Sequence, residues 1–273
     1  RFINHFIHEK INPESEDMNK FIEQINTYNS NISILTLNYD TLFEDSFNKF
    51  TIHNLYLSFC YDLINFSYQF LSPDSWLIDP DKAMILPIDA KPKTIKFLKL
   101  HGSLNWFYCN VCNSLMIKPR YKKKLSGLEN DDAKLEHTTT KVLCPKDQCR
   151  MLSLTTPPAY KKDLTHPVIS KLLIEASNEI NISKKIVFVG YSMPEADVHI
   201  KAILSRAGTQ NRDIFVINPF MDSSTKNRYQ QLNKNVTFIE KTFGAAIDDG
   251  DIKRILQKNP PDGTTNHNQN HYE

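Results

Sequence analysis

Four of the five cysteines fall into two close pairs, a spacing that suits metal binding. Cys109 and Cys112 form the string CNVC, and Cys144 and Cys149 form CPKDQC. Two close thiolate pairs can supply four sulfur ligands to one tetrahedral zinc ion and leave no position open for water. We therefore predict a structural zinc (Zn) site made of these four cysteines, with four unrelated thiols as the alternative.

A second set of candidate residues follows short apolar runs at 32–37, 95–100, 186–189 and 214–217. Each run ends in polar residues or glycine: Asn38 and Asp40, His101 and Gly102, Gly190 and Ser192, and Asn218. Any one of them could be an ordinary turn residue. Ligands of an open parallel sheet bind outside the carboxyl ends of its strands, so together they predict a binding site.

Within this set, His101 is the residue suited to proton transfer near neutral pH. Asn38 offers both a donor and an acceptor, which can hold a ribose or an attacking water. Asp40 is open to two interpretations, because an aspartate two residues before Leu42 can also cap a helix. The predicted catalytic set is therefore His101, Asn38 and Asp40.

The apolar runs alternate with segments of helical periodicity after residue 165, which predicts an α/β fold with a Rossmann-like parallel sheet. Residues 105–156 contain all four paired cysteines and few periodic apolar positions. We predict that they form an inserted zinc-ribbon module, and that 1–104 together with 157–257 form the main domain. The polar segment 258–273 is predicted to be disordered.

Charge and hydropathy narrow the classes of partner. The formal net charge is only +2, so the basic run 118–124 is the sole feature that favours nucleic acid, and we do not expect nucleic acid to bind. No stretch approaches the roughly 18 apolar residues that span a membrane. The N-terminal sequence has no signal-peptide pattern, so we expect a cytoplasmic protein.

Taken together, the motifs resemble the sirtuin family, and more specifically its divergent prokaryotic relatives of antiviral defence. The matching strings are LTLNYD at 35–40, KLHGSLNW at 99–106, the two cysteine pairs, FVGYSMPEAD at 188–197 and VINP at 216–219. Their order agrees with the family over about residues 30 to 240. The Asn-Tyr-Asp, His-Gly-Ser and Gly-Tyr-Ser forms are closer to the defence relatives than to the deacylating members.

This resemblance implies an NAD-consuming enzyme in which NAD is the substrate. It implies that His101 is the general base and that Asn38 and Asp40 lie by the nicotinamide ribose. It further implies that Gly190 and Ser192 line the phosphate and ribose side, and that Asn218 lies at the adenosine end. In the defence relatives water attacks the ribose carbon, which yields nicotinamide and ADP-ribose. A homo-oligomer and a sensor domain or partner protein are also expected from the resemblance.

One feature departs from the family pattern. The family begins with a strand and a glycine loop that holds the pyrophosphate, whereas no glycine precedes Gly102 here. We expect that the chain starts downstream of that segment, as the missing initial Met suggests, and could then be an inactive fragment. A degenerate NAD-binding member is the alternative. A sensing module for NAD or ADP-ribose without turnover, and an NAD-dependent deacylase, remain open as alternative functions.

Overall fold

The computed structural model describes residues 16–28, 31–47, 55–61, 63–65, 93–117, 142–155, 166–208 and 212–257. The helices in these ranges are α1 (Glu16–Tyr28), α2 (Leu42–Phe47), α3 (Pro167–Ile182), α4 (Val198–Arg206), α5 (Ser223–Leu232), α6 (Phe243–Asp248) and α7 (Asp251–Leu256). The strands are β1 (Ser33–Thr36), β2 (Leu55–Ser58), β3 (Leu63–Asn65), β4 (Lys93–Lys99), β5 (Gly102–Tyr108), β6 (Leu115–Ile117), β7 (Leu152–Thr155), β8 (Lys185–Val189), β9 (Asp213–Ile217) and β10 (Val236–Ile239).

The predicted parallel α/β architecture is confirmed, but the parallel strands are divided between two sheets. One sheet has the order β1-β4-β2 and the other has the order β10-β9-β8, and every pairing in them is parallel. Strands β8 (KIVFV) and β9 (DIFVI) are both rich in β-branched and aromatic residues. The central strand β9 is largely buried, whereas the edge strand β8 exposes Val187 and Val189. In the described part of the chain, β1 and β8 are each an edge strand of their sheet.

A shared hydrophobic core joins the two parallel sheets. Helix α3 packs against β4 of the first sheet and against α4, the helix that follows β8 of the second. Its fully buried Val168 and Leu172 belong to the same apolar cluster as Phe97 of β4 and Val216 of β9. Because α3 contacts elements of both sheets, it brings their carboxyl ends to one region.

A third sheet carries the predicted zinc module. Its order is β3-β6-β5-β7, with β5 antiparallel to both β6 and β7. Strand β3 precedes residue 105 and pairs with β6 in parallel, so this sheet also includes a strand from the main domain. The boundaries 1–104, 105–156 and 157–257 stay a prediction, and the predicted disordered tail 258–273 falls outside the ranges given above.

Candidate active site and metal centre

His101 lies in a tight turn between β4 and β5, and only 5% of its surface is exposed. The next residue, Gly102, has φ +79°, a left-handed conformation that favours glycine. A Cβ atom at Gly102 would lie 2.3 Å from the carbonyl oxygen of Leu154 in β7. Glycine is therefore required at position 102 by the backbone of the turn, which holds the His101 imidazole at the carboxyl end of β4.

The loop after β1 is attached to this turn by hydrogen bonds. The amide of Leu104 donates to the carbonyl oxygen of Tyr39 at 2.9 Å, and the hydroxyl oxygen of Ser103 lies 3.3 Å from the same carbonyl oxygen. Ser103 is fully buried and donates to the side-chain oxygen of Asn105 at 2.7 Å. The two strings LTLNYD and KLHGSLNW thus form one structural unit, with Asn38 exposed at its surface.

Asp40 and a buried ion pair position the end of this loop. The carboxylate of Asp40 accepts from the amide of Leu42 at 3.1 Å, so the predicted cap of α2 is present. Lys99 donates to the carbonyl oxygen of Asp40 and, at 2.7 Å, to the carboxylate of Glu44. The side chains of Lys99 and Glu44 are only 1% and 2% exposed. The pKa of Glu44 is raised by burial, and Lys99 opposes that rise.

His101 contacts a second histidine, which lies in the helix that follows β8 of the other parallel sheet. The Nε2 atoms of His101 and His199 are 3.1 Å apart, and His199 lies in the first turn of α4. The carboxylate of the buried residue Asp197 accepts from the hydroxyl of Tyr191 at 3.0 Å. Ligand atoms of His101, Asp197 and His199 all lie within 4.8 Å of one another.

Two tyrosines border this cluster and stay protonated at neutral pH. The Tyr39 ring centroid lies 6.2 Å from that of His101. The pKa of Tyr39 is raised by burial and by the charge of Asp197. The pKa of Tyr191 is likewise raised by burial, with Asp197 adding to the effect. Both phenols therefore keep their proton, and that of Tyr191 is donated to Asp197.

The loop after β8 is held by helix α5. The hydroxyl of Tyr229 donates to the carbonyl oxygen of Tyr191 at 2.6 Å, and the Arg228 guanidinium donates to that of Ser192 at 3.1 Å. Gly190 and Ser192 are both exposed, and the amide of Gly190 donates to the carbonyl oxygen of Ile217 at 2.9 Å. These contacts fix the loop at the carboxyl end of the second sheet.

Asn218 follows β9 at the same end of that sheet. It is 8% exposed, and its side-chain oxygen accepts from the amide of Phe220 at 3.0 Å. That bond closes a local turn, which is a structural role for the asparagine oxygen. The amide nitrogen of its side chain is the part that could serve a ligand.

The cysteine cluster brings three sulfurs and one carboxylate together. Ligand atoms of Cys109, Cys112, Cys144 and Asp147 lie within 4.8 Å of one another, and the sulfurs of Cys112 and Cys144 are 3.5 Å apart. The Asp147 carboxylate lies 3.2 Å from the sulfur of Cys109 and accepts from the amide of Cys149 at 2.9 Å. These contacts, led by the Cys149 amide, lower the pKa of Asp147 to about 2. Asp147 was not among the predicted ligands.

Comparison with known proteins identifies the family. The model of the SIR2-like domain matches residues 32–239, which is more than half of the chain. The chain belongs to the SIR2-like domain family. No curated protein matches the chain.

Solved Sir2 structures are similar to this SIR2-like chain at low identity. A mutant Sir2 homologue in complex with ADP-ribose is 14% identical over 88% of this chain and 66% of its own, with a TM-score of 0.45. A Sir2 homologue in complex with NAD is 13% identical over 88% of this chain and 64% of its own, with a TM-score of 0.45. Sir2 bound to an acetylated peptide is 13% identical over 91% of this chain and 77% of its own, also with a TM-score of 0.45. The chain thus spans less than two thirds of the first two proteins.

The structure places the predicted site residues at the carboxyl ends of their strands and adds partners that the sequence reasoning missed. His101 and the loop of Asn38 and Asp40 form one unit, whereas Gly190, Ser192 and Asn218 follow the strands of the second sheet. On the side of the second sheet, the polar partners of His101 are His199 and its neighbour Asp197 at the start of α4. Their signal in the sequence is the string DVH at 197–199, whose importance depends on a fold that places it opposite His101.

The donor set of the cysteine cluster fits zinc. Zinc takes thiolate and carboxylate ligands, and structural sites are four-coordinate. Cys109, Cys112 and Cys144, together with either Asp147 or the predicted Cys149, would hold the ion and join β5 to the hairpin before β7. Cys149 packs against the same cluster, so its role as the fourth ligand stays a prediction.

As for membranes, none of the described helices is both long and apolar enough to cross one.

Proposed function

We propose that this SIR2-like chain belongs to an NAD glycohydrolase, which cleaves NAD to nicotinamide and ADP-ribose in antiviral defence. The observation that carries the proposal is the place of His101. It is a buried imidazole directly before a glycine that the backbone of the turn requires, and it lies where elements of the two parallel sheets meet. Membership of the SIR2-like family supports NAD as the substrate.

In the proposed reaction, the bond between the ribose carbon and the nicotinamide nitrogen breaks. Its electron pair leaves on nicotinamide, whose ring loses its positive charge. A water oxygen forms the new bond to the same carbon, and the proton that the water loses passes to His101. Because the sugar carries positive charge during this step, the chain's main task is to orient the water and the ribose.

The other predicted residues take binding roles in this proposal. Asn38, exposed beside the His101 turn, would hold the ribose or the water, and Asp40 fixes its loop by capping α2. Gly190 and Ser192 would face the phosphate side, and the free amide of Asn218 the adenosine side. A cytoplasmic location, a homo-oligomer and a sensor domain or partner protein complete the proposal.

The test measures nicotinamide release from NAD by the longest available form of the gene product. We expect release from the wild type and a loss of at least about 100-fold in His101→Ala, because the general base is removed. His166→Gln, which changes a histidine at the start of α3, is the matched control and should keep the wild-type rate. His101 is buried, so thermal melts of all three proteins must show that they are folded.

Three other results of this test would each contradict one part of the proposal. Equal rates in the wild type and His101→Ala would remove the role of general base. Release of nicotinamide only when an acylated peptide is present, with matching loss of the acyl group, would favour a deacylase. Tight binding of NAD or ADP-ribose without product would favour a sensing module.

We also propose that the cysteine cluster binds a structural zinc ion. The metal content of purified protein is the direct measurement, and one equivalent per chain is expected. Zinc loss in Cys149→Ser would support the four-cysteine set. Zinc loss in Asp147→Ala with retention in Cys149→Ser would support the carboxylate as the fourth ligand.

A further inference from the structure

We infer that His199 is a positioning residue for His101, a neutral imidazole that shares one proton with it across the boundary between the two parallel sheets. This inference rests on the proposed function for its kinetic consequences, but the shared proton itself can be observed without turnover. The observation behind it is the 3.1 Å separation of the two Nε2 atoms, which is hydrogen-bond distance.

The orientation of the rings favours a hydrogen bond between the histidines. Their centroids are 5.2 Å apart and their Nε2 atoms 3.1 Å apart, so both nitrogens lie between the two ring centres. Each ring therefore directs its nitrogen towards the other ring. If both imidazoles bound one metal ion, their Nε2 atoms would instead point towards the ion, which would lie to one side of the line that joins the two ring centres. The pair is therefore arranged to hold a proton.

Backbone hydrogen bonds, helix packing and a neighbouring side-chain contact hold His199 in place. Helix α4 begins directly after Asp197, whose carbonyl oxygen accepts from the amides of Ile200 and Lys201 at 3.1 Å each. Ile200 and Leu204 bury the inner face of this helix. The side chain of Asp197 is held in turn by Tyr191. His199 thus has a fixed position opposite the His101 turn.

Only one proton fits between the two nitrogens. The shared proton already occupies the space between the two Nε2 atoms, so the proton from water must reach His101 at Nδ1. His101 then becomes an imidazolium, and its Nε2–H donates to the neutral Nε2 of His199. A second proton on the pair would place two N–H groups against each other at 3.1 Å. The pair therefore takes up one proton readily and resists another, which is the behaviour of coupled sites.

The groups around the pair favour this single positive charge. Asp197 faces it from the start of α4 and supplies a carboxylate within 4.8 Å. Tyr39 faces it from the loop after β1, and Tyr191 borders it from the loop after β8. Burial raises the pKa of both phenols, so neither adds a negative charge at neutral pH. His199 thus keeps His101 in one orientation and stabilises its protonated form.

The kinetic test compares the pH dependence of kcat and KM in three variants. In His199→Leu we expect kcat to fall about 10- to 100-fold with little change in KM, and the acidic limb of the kcat profile to move to lower pH. His199→Gln should recover most of kcat, because its amide oxygen can accept the same hydrogen bond. Val198→Gln, an exposed neighbour on α4, is the control and should match the wild type.

A purely structural role for His199 would give a different pattern. The loss of kcat would then follow the loss of melting temperature, glutamine would not restore activity, and the acidic limb would stay in place. That pattern would overturn the inference.

The second measurement needs no substrate and separates this inference from the proposed function. Histidine-selective ¹⁵N NMR of the protein with one equivalent of zinc at the cysteine cluster follows both rings against pH in the wild type and in His199→Gln. We expect the two wild-type rings to take up one proton together and the second only at much lower pH, and His101 to titrate alone in the variant. Independent titration of the two rings, or coupling seen only when zinc exceeds one equivalent per chain, would refute the shared proton. Coupled titration in a protein that leaves NAD intact would refute the hydrolase proposal alone.

Discussion

Lys99→Met should destabilise the protein strongly, because Lys99 and Glu44 form a buried ion pair beneath the candidate site. Their side chains are 1% and 2% exposed, and the Nζ of Lys99 lies 2.7 Å from the carboxylate of Glu44. Removing one partner leaves the other charge buried without compensation, which costs about 3–5 kcal/mol. Lys99 also donates to the carbonyl oxygen of Asp40, so part of this loss falls on the site loop.

The double variant Lys99→Met/Glu44→Leu separates the two contributions. Replacing both charges by apolar groups removes the uncompensated carboxylate, and only the unpaired carbonyl of Asp40 remains. We expect the free energy of unfolding of the double variant to be about 1–3 kcal/mol lower than that of the wild type. The double variant should therefore be more stable than Lys99→Met alone. Lys96→Met on the same strand is the matched control. Lys96 pairs with both Glu175 and Glu179 but is itself 40% exposed, so water can solvate the carboxylates left behind and Lys96→Met should cost about 1–2 kcal/mol, less than Lys99→Met.

The cost of Lys99→Met should also depend on pH in a defined direction. Burial raises the pKa of Glu44 and Lys99 opposes that rise, so the pKa must rise further in the variant. A carboxyl whose folded pKa exceeds its unfolded pKa stabilises the fold when it is protonated. That stability is lost as the pH rises through the folded pKa. The difference between wild type and variant should therefore shrink as the pH is lowered.

The assay is urea unfolding followed by the fluorescence of buried Trp106, at neutral pH and at about pH 5. A loss below about 1 kcal/mol at neutral pH would refute the claim that the pair is both buried and charged. If Lys99→Met loses the expected stability but the loss does not change with pH, then the buried Glu44 carboxylate is not its cause.

Three further predictions concern local structure. Gly102→Ala should lower the free energy of unfolding in urea by about 2–5 kcal/mol. The new Cβ would clash with the carbonyl oxygen of Leu154, and φ +79° is strained for alanine. A change below about 1 kcal/mol would contradict this prediction. Cys112→Ser should release zinc and lower the melting temperature, and an unchanged melt would count against the metal site. Asp222→Ala should lower the melting temperature, since Asp222 caps α5 by accepting from the amide of Thr225. Hydrogen bonds with Thr225 at that cap lower the pKa of Asp222 in the folded protein. The stabilisation by Asp222 is therefore present above its unfolded pKa and is lost as the pH falls through its folded pKa. A difference between the wild type and Asp222→Ala that does not change with pH would contradict this prediction.

Local signals in the sequence predicted most elements of the main domain. The apolar runs at 32–37 and 95–100 correspond to β1 and β4, and the later alternation corresponds to α3 through β10. These elements are encoded by short-range periodicity, which a single sequence displays. Strands β2 and β3 were not predicted. They lie in an aromatic-rich segment without clear alternation, and β2 forms by pairing with β4, far away in the sequence.

The sequence by itself determined which residues could do chemistry: His101 in a turn that requires glycine, Asp40 as a helix cap, and the clustered cysteines. The tertiary structure decided what these residues contact. Lys99 would be expected at the surface, yet the packing of α2 on β4 buries it against Glu44. His199 comes from a helix 98 residues after His101, and Asp147 reaches the cysteine cluster through a hairpin. Such pairings depend on how distant elements pack, because hydrogen bonds and ion pairs act over a few ångströms in space, whatever the separation along the chain.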